Sequence, residues 1–461
     1  METGEKLTVK AERLAPEGEG ICRAEGSARV VFVPYTVPHD KIVVEIRERQ
    51  KNFARGRILE IIEKGPERIV PQCPLHFDPS RPDPACGGCD WQQLPYAAQL
   101  KYKRELVADC LRRLGKIEAP VEATLASPRE WAYRNKVQVP MGRDERGGVI
   151  GGFYAPASHR IVDFQACPVQ PDLSVKIALR VKDLAARLDL PVYDEKTRKG
   201  WLKHLFIRTN SQGKALAALV TRSTEFPQRQ AFIDEMRAAF PEMLGLHQNI
   251  QPLPSSVILG PEWRKLWGAP ALEEQIGRWR FIASPGAFLQ VNTPAAELLY
   301  DAALAALTHG GHRFKLALDL YCGVGTLSLW ISQAVDRVIG VEESRLAVQD
   351  AWANAKRNAA GNVRFIAGKA ESALPRLRSE LPGECAAVVD PPRAGLAQPV
   401  LRFLTSPSVR RLVYVSCNPA TFARDAAYLR QSGFKLERVR PVDLFPQTSH
   451  VELVGLFDRL K

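Results

Sequence analysis

In LVYVSCNPATFARD, residues 412–425, a cysteine stands between an apolar run and an Asn-Pro pair. A thiol at such a place could pack a core, ligate a metal, close a disulfide or act as a nucleophile. Asn418 has the side chain of a good helix N-cap, and Pro419 fits the first helical position. A helix is therefore predicted from there to Gly433, and RRLVYVSC before it has strand composition. Cys417 falls at the junction. There, peptide dipoles and unsatisfied N–H groups favour the thiolate.

The chain has nine cysteines, and four of the others have ligand character. CPLHFDPSRPDPACGGCDW holds Cys73, Cys86 and Cys89, with a Cys-Gly-Gly-Cys spacing in an irregular segment. Cys167, followed by proline in DFQACPVQ, is the fourth candidate. Four thiolates suit either zinc or a [4Fe–4S] cluster. Cys22, Cys110, Cys322 and Cys385 read as non-ligands.

A second group of residues points to a nucleotide-like cofactor. LDLYCGVGTLSL follows a predicted strand, and Gly323 and Gly325 let the turn pass close to a ligand. Asp319 sits at that strand end, and Glu342 in GVEES lies 23 residues further on, at the next strand end. An acidic residue at that distance is placed to accept from ribose hydroxyls. Position 328 is Ser, so the full dinucleotide pattern is incomplete, which favours S-adenosylmethionine over NAD. Asp390 opens DPPR after the fourth strand. An aromatic residue in place of Arg393 would suit methylation of an amino group on a base; arginine argues against it.

A strand-end thiolate beside a methyl donor suggests one reaction. Addition of the thiolate to C6 of uracil makes C5 enolate-like, so that C5 can accept a methyl group. A base then removes the C5 proton and the thiol leaves. VDLFPQTSHVELV offers Glu452 as that base, with Asp443 and His450 as rivals.

Three blocks position these groups. Residues 1–65 carry short, partly alternating β-branched runs separated by Gly or Pro turns, predicting a small β-barrel. RERQKNFARGR within it suits a nucleic-acid face. Residues 66–280 read as α+β, with a helix near 94–114 and a hairpin joining KHLFIRTN to KALAALVTRS. Residues 281–461 alternate strand and helix and end in two strands with a short loop between them, FKLERVRPVDLF and HVELVGLFDRL. This predicts a mostly parallel sheet closed by an antiparallel pair, an α/β class I methyltransferase layout with a Rossmann-like seven-stranded sheet.

SPGAFLQVN, DLYCGVGT, DPPRAGL, VSCNPAT and DLFPQTSHVE, over about residues 284 to 461, resemble the consecutive motifs of the RNA uracil-5-methyltransferase family. APEGEGICRAEG and VFVPYTVPHD resemble the early turns of the TRAM domain, an OB-like RNA-binding barrel. The resemblance implies that Cys417 is the nucleophile and Glu452 the proton-abstracting base. It implies that Gln290, Tyr321, Gly323, Gly325, Thr326, Glu342, Asp390 and, by alignment, Lys369 serve the cofactor. It also implies that Cys73, Cys86, Cys89 and Cys167 hold a [4Fe–4S] cluster, zinc being the alternative. HFDPSRPDP then reads as an insertion between the first two ligands. The barrel and the cysteine quartet together favour 23S ribosomal RNA as substrate over transfer RNA. A non-catalytic RNA-binding or ribosome-assembly factor is the alternative of another class.

Bulk properties agree. A net charge of +13 suits a polyanionic partner. No apolar run approaches the ~18 residues of a membrane span. The start lacks a signal-peptide core, so a cytoplasmic location is expected. Phe288 and YRNK, residues 133–136, are candidates for holding a splayed-out base. No obligatory protein partner is evident.

Overall fold

The computed structural model describes residues 2–24, 26–81, 85–381 and 383–460. Residues 82–84, the end of the HFDPSRPDP insertion, lie outside them. The chain divides into two compact units, one of residues 1–83, 89–130 and 294–461, the other of residues 84–88 and 131–293.

The first unit begins with a closed barrel of five strands: β1 (Lys6–Leu14), β2 (Gly20–Arg23), β3 (Val30–Val33), β4 (Lys41–Arg49) and β5 (Phe53–Glu63), in the order β1-β2-β3-β5-β4. Burial alternates along β4, the period-two signature of a strand with one face inward. Val9, Val31, Val44, Ile46 and Cys22 fill the interior, so Cys22 is core. The helix Tyr96–Cys110 follows and runs on into a π-helical turn, Leu111–Gly115. It ends where Lys116 takes a left-handed conformation, φ 52°.

The second unit carries a seven-stranded sheet of β6 (Lys136–Arg143), β7 (Val149–Tyr154), β8 (Ile161–Asp163), β9 (Leu202–Thr209), β10 (Ala215–Thr221), β11 (Met243–Ile250) and β12 (Glu262–Gly268). As expected, β9 and β10 form a hairpin, with Thr209 opposite Ala215. β13 (Leu272–Ile276) and β14 (Trp279–Ala283) make a separate antiparallel pair.

The first unit resumes with β15 (Leu316–Leu320), β16 (Arg337–Glu342), β17 (Val363–Ala367), β18 (Cys385–Val389), β19 (Val409–Ser416), β20 (Phe434–Val442) and β21 (Glu452–Arg459). Their order is β17-β16-β15-β18-β19-β21-β20; the first five are parallel, and β21 runs antiparallel between β19 and β20. This is the class I methyltransferase order. LALDL of β15 and CAAVV of β18 are buried throughout, as strands covered on both faces must be. Among the described residues, no helix is long and apolar enough to cross a membrane.

Candidate active site

In the first unit, the carboxyl ends of β15, β16, β18 and β19 form one edge of the sheet. Asp319 and Tyr321, Glu342, Asp390 and Cys417 end or follow these strands. β21 runs the other way, so its first residue, Glu452, lies at the same edge. Ser416 pairs with Leu453, so Cys417, just after β19, and Glu452, the first residue of β21, come at the same end of this strand pair, and the thiol feels the Glu452 charge. Glu452 pairs with Val442 of β20, which fixes its backbone from that side.

The turn after β15 is shaped by left-handed backbone at Tyr321 (φ 67°), Gly323 (φ 54°) and Gly325 (φ 84°). At Gly325 a Cβ would lie 2.9 Å from the Phe365 ring; at Gly323 it would meet nothing within 4 Å. The Glu342 carboxylate accepts from Gly323 N at 3.1 Å and Ser344 N at 2.8 Å, which fixes its direction. Asn354 Nδ2 donates to the Val324 carbonyl at 3.0 Å. Thr326 accepts from the Tyr300 hydroxyl at 3.2 Å. Lys369 is exposed and follows Gly368, whose N–H donates to the Glu342 carbonyl at 2.8 Å.

Asp319 is fully buried; Ser328 donates to its Oδ2, while Oδ1 has no hydrogen-bond partner among the described residues. Burial pushes this carboxyl up to about 7, and burial pushes Asp390 up to about 7. A buried carboxylate oxygen left unpaired is costly. It suits a ligand that brings a donor, as the amino group or ribose of S-adenosylmethionine would.

Cys417 departs from its expectation. The helix Pro419–Gln431 begins as predicted, with Asn418 Oδ1 accepting from Ala420 N at 3.0 Å. Yet the thiol is pushed up to about 12, first by burial and then by the Glu452 and Asp390 carboxylates. In the ligand-free protein, desolvation and two like-signed neighbours outweigh the helix terminus, and the thiol keeps its proton. Glu452 is itself held well above the usual carboxylate range by burial and by Asp390. Arg393 opposes both shifts. Its loop is anchored to the same helix: Asn418 Nδ2 donates to the Arg393 carbonyl at 3.1 Å, and Asp425 accepts from Leu396 N at 2.8 Å.

The two rival bases are placed differently. Asp443 is fully buried and accepts from Lys103 Nζ at 2.6 Å. His450 is exposed, with its ring against Phe445. Tyr300, not anticipated from the sequence, feels the charges of Asp319, Asp390 and Glu452, and burial raises its hydroxyl. Its only sequence signal is one polar aromatic in the Ala- and Leu-rich helix Thr293–Leu307.

Gln290 belongs to the second unit, with its side chain buried. Asn135 holds its loop, N–H to the Val291 carbonyl at 2.8 Å and Nδ2 to the Gln290 carbonyl at 3.2 Å. Phe288 on that loop is 58% exposed, and Lys136 Nζ lies 5.5 Å from its ring centre. Burial, Arg208 and Arg134 lower Lys136 to about 8. Tyr133 of the same YRNK cluster is buried, so only part of that cluster faces outward.

Cys73 and Cys89 belong to the first unit, Cys86 and Cys167 to the second, and all four are half-buried. Gly88 N donates to Cys86 Sγ at 3.4 Å, the kind of contact that supports a ligating thiolate. Among the described residues no three His, Cys, Asp or Glu side chains are gathered as a metal site.

A TRAM domain model matches residues 1–59, and a tRNA (Uracil-5-)-methyltransferase model matches residues 273–460. An RNA methyltransferase of Halalkalibacterium halodurans is 37% identical over 454 residues, 98% of this chain and 96% of that protein. The chain belongs to the RNA uracil-5-methyltransferase family. An RNA methyltransferase of Caldanaerobacter subterraneus is 36% identical over 458 residues, 99% of each chain. Among solved structures, the Pyrococcus abyssi tRNA (uracil-54, C5)-methyltransferase in complex with S-adenosyl-L-homocysteine superposes with a TM-score of 0.75. It covers 98% of this chain and 100% of its own at 24% identity, a likeness of fold. Membership in the family agrees with the sheet order and the barrel.

Proposed function

We propose that this protein methylates C5 of a uridine in RNA, with Cys417 as nucleophile and Glu452 as base. The observation that carries the reading is that Cys417 and Glu452 come at the same end of the β19–β21 pair, with the Glu452 charge felt at the thiol. Tyr321, Gly323, Gly325, Thr326, Glu342, Lys369 and Asp390 would hold S-adenosylmethionine, which supplies an electrophilic methyl group. The unpaired Asp319 oxygen supports this.

Cys417 releases its proton to water, its sulfur bonds to C6, and the C5–C6 π pair moves to C5. Once C5 carries the methyl, Glu452 takes the C5 proton, the C6–S bond breaks and the thiolate departs. A carboxylate whose affinity for protons is raised by burial is a better base than an exposed one. Arg393 supports the charged forms of both groups. Phe288 and Lys136 offer a face and a cation for a base displaced from its stack.

We favour 23S ribosomal RNA as the substrate, because the barrel and the cysteine quartet occur in one chain. Transfer RNA is the second reading, favoured by the likeness of fold to the Pyrococcus abyssi tRNA (uracil-54, C5)-methyltransferase. The four cysteines are proposed as ligands of a [4Fe–4S] cluster, with zinc as the alternative, in a structural role, since methyl transfer needs no electron. Mapping 5-methyluridine in total RNA from a strain lacking the gene tests the reading. Loss of the modification at one ribosomal position is expected, and an unchanged map would overturn it.

A further inference from the structure

The loop 443–451 leads directly into Glu452, and residues far away in sequence hold it. Lys103, fully buried, donates to Asp443 Oδ1 at 2.6 Å and to the Phe445 carbonyl at 3.1 Å. Asp443 Oδ1 in turn accepts from Phe445 N at 2.9 Å. Gln99, one turn earlier on the helix Tyr96–Cys110, makes a two-way clasp. Its Oε1 accepts from Gln447 N at 2.9 Å, and its Nε2 donates to Gln447 Oε1 at 3.0 Å. Trp91 N donates to the Gln447 carbonyl at 3.1 Å, and Asp90 accepts from Ser449 N at 2.9 Å. Gln447 has φ 71°, a conformation that a non-glycine residue keeps only under such constraint.

We propose that Lys103 and Gln99 are positioning residues for the proton-removal step, setting where the Glu452 carboxylate stands. This rests on the reading of Glu452 as the base. The loop has a strand at each end, but its middle is set by the 90–103 segment. Because Asp90 and Trp91 directly follow Cys89, that cysteine-bearing segment bears on the same loop.

Proton removal comes after sulfur addition and methyl transfer, so a misplaced Glu452 has a distinctive signature. The enzyme would add and methylate but release slowly, and protein would accumulate covalently bound to ordinary uridine RNA. Lys103→Met and Gln99→Leu are compared with Glu452→Gln, using S-adenosylmethionine and RNA from a strain lacking the gene. Gln99→Leu leaves the buried ion pair intact, so it reports even if Lys103→Met fails to fold. For both variants kcat is expected to fall about tenfold or more with KM little changed, and a denaturant-resistant RNA adduct to build up. If kcat is unchanged, or falls without adduct while Glu452→Gln accumulates it, the positioning role is refuted. If Glu452→Gln itself accumulates none, the assignment of the base fails first, and the positioning role with it.

Discussion

Cys417 follows β19 and Glu452 opens β21, so both come at the end of that antiparallel pair where Ser416 stands opposite Leu453, although 34 residues lie between them in the chain. The thiol's proton is held by burial and by this carboxylate together with Asp390. The thiol is pushed up to about 12, so in the ligand-free protein its thiolate fraction should climb with pH through and beyond 9 without a plateau. Alkylation of the Cys417 peptide, followed by mass spectrometry from pH 7 to 10, would show about a tenfold rise per pH unit. Glu452→Gln, which removes a carboxylate that raises the thiol, should speed alkylation most at the alkaline end of this range, because Glu452 is itself raised by burial.

Arg393 acts in the other direction. Arg393→Met removes the cation that lowers both Cys417 and Glu452, so alkylation at pH 8 should slow. Arg393 is exposed, so the change should shrink as salt is added. An equal rate in the variant and the parent would show that the guanidinium does not act on the thiol.

Asp319 makes the ligand-free fold sensitive to pH. Its carboxyl is raised from an ordinary 3.8 to about 7, so between those values the folded state binds more protons than the unfolded one. Stability is therefore lost as pH rises through that window, by roughly 2–4 kcal/mol. Asp319→Asn should raise the melting temperature at pH 8 and change it little near pH 4. The same variant should bind S-adenosylmethionine more weakly by calorimetry.

The two glycines of the turn after β15 should respond differently to alanine. Both have left-handed backbone, but only at Gly325 does an added Cβ collide with a neighbour, the Phe365 ring at 2.9 Å. Gly325→Ala should cost roughly 2–4 kcal/mol in urea unfolding, and Gly323→Ala only about 1–2 kcal/mol. Gly323→Ala should fold and still lose affinity for S-adenosylmethionine.

The cysteine quartet has its own test. Anaerobic purification should give a brown protein with about four irons and four sulfides per chain. Cys86→Ser should lose that colour. A colourless protein with stoichiometric zinc would replace iron with the alternative metal.

Much of the fold was legible in local pattern. Alternation predicted the barrel, apolar runs the parallel strands, and Asn418-Pro419 the helix start that the structure shows. The turn after β15 was legible too, since Gly323 and Gly325 enter the left-handed conformations found there without strain. What depends on distant contacts was not legible. Lys103 and Gln99 lie on the helix predicted near 94–114, where no local pattern marks a lysine or glutamine for burial, yet both side chains are fully buried against residues 443–447. The thiolate expectation failed for the same reason. A helix N-terminus is visible in sequence, whereas burial and two facing carboxylates appear only when strands pair. Tyr300 gave no usable signal, since one tyrosine in an apolar helix most often packs a core.

RNA containing 5-fluorouridine tests the covalent mechanism most directly, because fluorine at C5 leaves no proton for Glu452 to remove. With S-adenosylmethionine, the wild-type protein should form a denaturant-stable adduct with its RNA, and Cys417→Ala should form none. No adduct with any cellular RNA, or an adduct that persists in Cys417→Ala, would contradict Cys417 as the nucleophile.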